Sequence, residues 1–293
     1  MDGMVALEQL RYVRLAANDL SRAADFAQRV LGLEPIDRTP DVATFRSDFR
    51  DHTLAFESNG AGQSVGFEVR YASDLDAALE GLARLGLKTG RGTAEDCARR
   101  KAKDMAWFTD CSGNRIELVV RPLNSGWRYF PSRDAGIKGL ADIILRSTDV
   151  EKDLSIWTGV LGAQVSDWVG DAACLRFDGA HHRVALFPAS RAGILAVEYA
   201  VEDVNLLMRN HYVLRDLQIP VVHGPGRRPA SGQLFLTFAG PGDVLFSFVA
   251  EGETDAQGRR PRQFPAGAEG LCDWGSECKV EEFIGKANGK TRT

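Results

Sequence analysis

Leu10-Arg11-Tyr12-Val13-Arg14-Leu15-Ala16, followed by Asn18-Asp19-Leu20 and closed at Val30-Leu31-Gly32, returns about 130 residues later. The second copy reads Leu140-Ala141-Asp142-Ile143-Ile144-Leu145-Arg146, then Thr148-Asp149-Val150, then Val160-Leu161-Gly162. A period of that length is too long for a stacked solenoid and indicates a duplicated domain. In each copy an apolar strand runs into an Asp-bearing turn, and apolar residues then recur at helical spacing. These are Ala23, Phe26, Ala27 and Val30 in the first copy, and Leu154, Trp157 and Val160 in the second. Gly32 and Gly162 stand where helix C-caps are expected, because glycine enters the left-handed region without steric cost.

The pattern continues outward from these copies. Ala43 to Phe56 and Ala172 to Phe187 read as paired strands. Ser64 to Tyr71 and Ile194 to Val201 read as a further strand, each followed by an amphipathic helix. Each half closes on a strand pair, Met105 to Thr109 with Arg115 to Val120, and Gln233 to Phe238 with Val244 to Val249. Ser112-Gly113 and Pro241-Gly242 supply the turns. The expected fold is α+β, with two tandem βαβββ modules per half and four in the chain. The expected boundaries are an N-terminal domain over 5–122, a linker over 123–135, a C-terminal domain over 136–250 and a tail over 251–293. The linker aromatics Trp127, Tyr129 and Phe130 are expected to pack across the interface, and the tail to wrap a surface or fray without chemistry.

Composition excludes several function classes. The 293 residues carry a formal charge of −4, with pI near 5.8, so no general electrostatic reason exists to bind nucleic acid or an anionic membrane. The basic run Arg99, Arg100, Lys101 and Lys103 reads as a solvated loop. No apolar stretch is long enough to span a bilayer, and Met1-Asp2-Gly3 opens no signal peptide, so a cytoplasmic protein is expected. Cys97, Cys111, Cys174, Cys272 and Cys278 are odd in number and lack a CxxC pair, which argues for reduced thiols rather than a disulfide framework or a thiolate zinc site.

Taken together, Leu-Gly closing the first helix, Gly66-Phe67-Glu68-Val69, Val197-Glu198-Tyr199-Ala200-Val201 and a glycine turn before the last strand resemble the vicinal oxygen chelate superfamily. With Asp178-Gly179-Ala180-His181-His182-Arg183-Val184-Ala185 and Gly224-Pro225-Gly226-Arg227-Arg228-Pro229, the chain resembles type I extradiol ring-cleavage dioxygenases over roughly residues 5–250. The resemblance implies a ferrous ion held in the C-terminal domain by two histidines and a glutamate. Those positions fall here at Asp142, Ala196, and Phe246 or Ser247, so the usual iron ligands are missing. In the N-terminal domain they fall at Tyr12, Ser64 and Glu117, where Glu117 reads as a vestigial, internally hydrogen-bonded carboxylate. The family's proton-handling histidine corresponds to His182, beside His181. A further family histidine corresponds to Arg228, and a substrate-contacting tyrosine to Thr237.

Arg228 cannot serve as a base, but its planar fork suits a carboxylate, enolate or phenolate oxygen. Ala196 and Glu198 share a strand face by parity, and Asp142 lies on the neighbouring strand, so two carboxylates and His182 are expected to converge. The candidate catalytic residues are therefore His182, Asp142, Glu198 and Arg228. The candidate substrate contacts are His181, Ala196, Tyr199, Thr237, Phe246 and Ser247, with no metal and no cofactor. The expected function is a small-molecule enzyme related to extradiol dioxygenases, acting on a hydroxylated aromatic, quinone or enolisable ketone. Metal-independent acid–base chemistry, as a lyase, hydratase or isomerase, and cofactor-free oxygenation both stay open. So do a non-catalytic aromatic-binding protein, with Trp157, Trp168, Phe177, Phe187 and Tyr199 as candidate walls, and an iron-dependent dioxygenase with a misaligned ligand set. No nucleic acid or membrane partner is expected, and a homo-oligomer is left open.

Overall fold

In a computed structural model, residues 4–58, 62–254 and 258–285 are described. Met1-Asp2-Gly3 and the tail positions 255–257 and 286–293 lie outside the described residues, so the expectations for them have no structural counterpart here. The first sheet is built from β1 (Leu7–Ala16), β2 (Glu34–Arg38), β3 (Val42–Arg46), β4 (Leu54–Glu57), β5 (Ser64–Val69), β6 (Thr89–Arg91), β7 (Asp104–Thr109) and β8 (Arg115–Val120). The second holds β9 (Ile137–Ser147), β10 (Gln164–Val169), β11 (Ala172–Arg176), β12 (Val184–Pro188), β13 (Gly193–Val201), β14 (Val221–Arg227), β15 (Leu234–Ala239), β16 (Leu245–Ala250) and β17 (Arg262–Phe264). The helices are α1 (Leu20–Asp25), α2 (Ala72–Arg84), α3 (Ala94–Arg99), α4 (Val150–Gly159), α5 (Val204–Asp216) and α6 (Ala268–Leu271).

Both sheets follow one plan, which makes the fold α+β with four βαβββ units. The strand order is β2-β3-β4-β1-β5-β8-β7-β6 in the first and β14-β15-β16-β13-β9-β12-β11-β10-β17 in the second. Asp19 and Asp149 cap α1 and α4 by accepting from backbone N–H groups three residues on. After α1 the chain widens into a π-helical turn over Phe26–Leu31, which ends at Gly32 with φ +81°. An added Cβ there would lie 2.5 Å from the Arg133 carbonyl, so both the backbone angle and the close approach demand glycine.

The core lies between the two sheets and is filled by the helices. Phe26 of the π turn meets Phe246 of β16 at 5.0 Å, and Trp157 of α4 meets Phe67 of β5 at 5.3 Å, edge on. Phe238, Phe246, Phe248 and Tyr199 all face this shared core. By the period-two rule their neighbours Thr237, Ser247 and Glu198 face the other side of the second sheet.

Several expectations are corrected. Two of the three linker aromatics do not pack across the interface, since Trp127 is 84% and Phe130 63% exposed, whereas Tyr129 is half-buried with its hydroxyl inside. The segment is held by its backbone instead, since the Trp127 and Arg128 carbonyls accept from Arg46 and the Phe130 N–H donates to Glu34. Arg100 is no solvated loop residue, being buried against Glu117. The tail pairs β17 with β10 and buries Leu271, Val280 and Phe283, so its described part belongs to the second sheet's packing.

Candidate active site

Cross-strand pairing lines up one residue from each of five strands on the outward face of the second sheet. His223 of β14 pairs with Thr237 of β15, Thr237 with Ser247 of β16, Ser247 with Glu198 of β13, and Glu198 with Asp142 of β9. Directly opposed residues share a face, so this row is one band of polar side chains. All five are buried.

The pairing moves one expected position. Opposite Asp142 stands Glu198, not Ala196, because register shifts interrupt β13 and β9 on either side of that pair. The corresponding row in the first sheet is Tyr12, Gly66 and Glu117, not Ser64. There the Tyr12 ring lies over Gly66, where an added Cβ would come within 2.3 Å of it, and fills the space above the row. Tyr12 donates to Glu117 at 2.8 Å, and Arg100 forks onto both Glu117 oxygens at 3.0 and 2.6 Å. The carboxylate is closed within its own hydrogen bonds.

In the second sheet a second arginine plays the same part. Arg228, just past β14, donates to both oxygens of Glu198 at 2.7 and 2.6 Å and to Gln233 Oε1 at 3.0 Å. Gln233 passes its Nε2–H to Asp142 at 3.0 Å, and the Ser247 hydroxyl lies 2.9 Å from that of Thr237. Burial alone would raise Glu198, but the Arg228 guanidinium overrides it and holds the carboxyl below its ordinary value. Asp142 is pushed up to about 6 by burial and by the neighbouring Glu198 charge. Two carboxylates side by side are thus shifted in opposite directions.

A narrow cavity opens beside this row. His181, His182, His223, Arg228, Cys174 and Phe187 line it from the sheet side, and Leu271 and Phe283 of the tail close it. Its centre leaves about 40 Å³ to water centres, room for roughly three waters. His182 is pushed down to about 4 by burial and the Arg228 charge, and His223 likewise, so both are neutral at pH 7. Burial pushes the Cys174 thiol up to about 12, which leaves it unreactive.

Of the ten candidate residues, the structure gathers Asp142, Glu198, His181, His182, Arg228, Thr237 and Ser247 around this row and cavity. Ala196 packs with Ile144, Cys174 and Phe187 in the apolar cluster beside it. Tyr199 and Phe246 do not join them, since parity turns both into the shared core. Trp157 and Phe177 also go to the core, against Phe67, so Phe187 is the one proposed aromatic wall that lines the cavity. Gln233, Asp167, His223 and the tail residues Arg259, Arg262 and Phe283 belong to the site's surroundings without having been singled out for it. Gln233 precedes a strand whose face was readable, whereas the tail residues carry no local signal at all.

A family model described as the Glyoxalase/Bleomycin resistance protein/Dioxygenase superfamily matches residues 9–118. That match covers most of the first sheet, less than half of the chain. An "Iron-dependent extradiol dioxygenase" of Rhodococcus jostii (strain RHA1) is 28% identical over 228 residues, 68% of this chain and 74% of the relative. A "3-methylcatechol 2,3-dioxygenase" of Pseudomonas putida is 28% identical over 198 residues, 62% of this chain and 68% of the relative. Among solved structures, a halotolerant catechol dioxygenase superposes with TM-score 0.86 at 20% identity, covering 98% of both chains. A Mn(II)-bound glyoxalase from Novosphingobium aromaticivorans gives TM-score 0.83 at 22% identity, covering 94% of this chain and 93% of its own. These structural likenesses establish the fold, and the chain is related to extradiol dioxygenases.

The row residues do not fit a facial triad of two histidines and one carboxylate. Asp142, Glu198 and Ser247 on the paired strands offer two carboxylates and a hydroxyl, and His182 adds a single imidazole within 4.8 Å of both carboxylates. Both Glu198 oxygens already accept from a guanidinium, which supplies the positive charge at that point.

Proposed function

We propose that this protein is an enzyme that takes a hydroxylated aromatic, quinone or enolisable ketone into the cavity of the second sheet and moves a proton at its hydroxyl or α-carbon without a resident metal ion. The observation that carries the reading is the Arg228–Glu198 pair. A fixed cation lines the cavity and, among the described residues, keeps its Nε–H and one Nη2–H without a hydrogen-bond acceptor, a geometry suited to a phenolate or enolate oxygen. Neutral His182 is the proton acceptor. Asp142, with a carboxyl near 6, is the group that changes protonation close to neutral pH and returns a proton. The substrate decides whether the anion is reprotonated on carbon, expels a group or meets dioxygen.

A second reading, an iron-dependent cleavage of catechols like that named for the relatives, is favoured by one observation. A donor atom from each of Asp142, His182 and Glu198 lies within 4.8 Å of the others. Elemental analysis after anaerobic ferrous loading, combined with titration of 4-nitrocatechol, whose visible absorbance reports its ionisation, separates the two. No retained metal together with an ionised bound 4-nitrocatechol supports the first reading. Near-stoichiometric iron with dioxygen uptake on catechol overturns it in favour of the second. Neither metal nor binding overturns both.

A further inference from the structure

Behind His182 runs a chain of hydrogen bonds that leaves the cavity and ends on the tail. His182 Nδ1 lies 2.9 Å from His181 Nδ1, and His181 Nε2 lies 2.7 Å from an oxygen of Asp167 on β10. Asp167 is buried, and five more donors from two arginines converge on it. Arg259 reaches both its oxygens at 2.9 and 3.0 Å, while Arg262 gives its backbone N–H at 2.7 Å and its guanidinium at 2.7 Å. Both arginines come from the tail, more than 90 residues along the chain from Asp167.

The order of protons along this chain follows from what each group can do. Burial would raise Asp167, but the two guanidinium groups and His181 hold it well below the usual carboxylate range, so it is an ionised acceptor only. His181 must then carry its proton on Nε2. Burial and the neighbouring ring keep His181 neutral, pushed down to about 4, so its Nδ1 is bare and accepts. His182 accordingly carries its proton on Nδ1 and presents a bare Nε2. That nitrogen has no hydrogen-bond partner among the described residues, on a ring that lines the cavity.

We propose that Asp167 and His181 are positioning residues that fix the tautomer of His182, and that Arg259 and Arg262 hold Asp167 ionised for that purpose. The inference rests on the reading of His182 as the proton acceptor. A substrate hydroxyl proton goes to His182 Nε2 and its electron pair stays on the substrate oxygen. His182 becomes an imidazolium whose Nδ1–H still points to His181, and Asp167 stays ionised throughout. The same tail supplies Leu271 and Phe283 to the cavity wall, so closing the cavity and setting the base depend on one segment.

Histidine ¹⁵N spectra of the full chain test this directly at pH 7. In the unaltered protein the expected signature is an Nδ1-protonated His182 and an Nε2-protonated His181. An Nε2-protonated His182 would overturn the proposal. In Asp167→Asn the amide oxygen turns to the two arginines and its NH₂ faces His181, so both tautomers should reverse and the ionised fraction of bound 4-nitrocatechol should fall about tenfold or more. Reversed tautomers without that fall overturn the role in proton transfer. Because the unaltered protein alone decides the tautomer, an Asp167→Asn chain that fails to fold leaves the test standing. If the tautomers are as stated and His182→Gln ionises 4-nitrocatechol normally, the functional reading fails while the relay holds.

Discussion

Arg228 and Glu198 meet as a bidentate ion pair, at 2.7 and 2.6 Å, in the row of the second sheet that faces the cavity. Arg100 and Glu117 repeat the arrangement in the first sheet, with the arginine again placed between the outermost strand and its neighbour. The duplicated fold answers the same problem, a buried carboxylate, in the same way twice. One copy then fills the remaining space with Tyr12, and the other leaves a cavity.

Removing one partner of a buried pair strands the other charge. Arg228→Met is expected to cost about 3–5 kcal/mol, and the double variant Arg228→Met, Glu198→Gln to recover much of it. Urea midpoints of the singles and the double give the coupling. A single-variant loss under about 1 kcal/mol would show that water reaches Glu198.

Asp142 has a folded value of about 6 against an ordinary 3.8, so the folded state binds its proton more readily than the unfolded chain does. Its contribution is fully present below about pH 4 and is lost as pH rises through about 6. Asp142→Asn, which mimics the protonated form, should leave stability unchanged near pH 4 and raise it by about 1–3 kcal/mol at pH 7. Thermal or urea unfolding across this window reads the difference. A variant less stable than the parent at pH 7 contradicts the assignment.

His182→Gln keeps a polar side chain of similar reach but cannot take up a proton. Turnover of any substrate found should fall by about 10²–10⁴ with little change in stability. An unchanged kcat would remove His182 from the mechanism.

Phe283 closes the cavity from the tail, in edge contact with Phe187 at 5.0 Å. Phe283→Ala should destabilise the fold by about 3–5 kcal/mol at most and speed association with 4-nitrocatechol, because the closed cavity is too small for an aromatic ring. Stopped-flow absorbance measures the rate, and an unchanged one would place the entry route elsewhere.

Glu117→Gln should destabilise the first module by about 3–5 kcal/mol, since it removes the buried charge paired with Arg100 and leaves that guanidinium only Asp96 at 3.3 Å, yet leave the 4-nitrocatechol spectrum at the second sheet unaltered. A changed spectrum would tie the first row to the site.

Much of the fold could be read along the chain. The Asp caps, the Gly32 and Gly162 helix ends and the alternating strands are local signals, and each came twice. The site was only partly legible. Strand parity placed Ala196 and Glu198 on one face, with Asp142 on the neighbouring strand, and the structure sets Glu198 rather than Ala196 directly opposite Asp142, and Gly66 rather than Ser64 opposite Tyr12. Register shifts in β13 against β9 and in β5 against β1 absorb residues that spacing counts as paired. Tyr199 and Phe246 were assigned to the site although their neighbours Glu198 and Ser247 hold that face.

The amino-acid sequence by itself determined the duplication and the four βαβββ units, because these rest on residue identity and on periodicities of 2 and 3.6 along a single segment. Tertiary structure alone decided that Arg228 locks onto Glu198, that Tyr12 fills the first cavity over Gly66, and that Arg259, Arg262 and Phe283 of the tail complete the second. Those are contacts between segments tens of residues apart or more, and no local pattern records which distant charge or ring will arrive to satisfy a buried group.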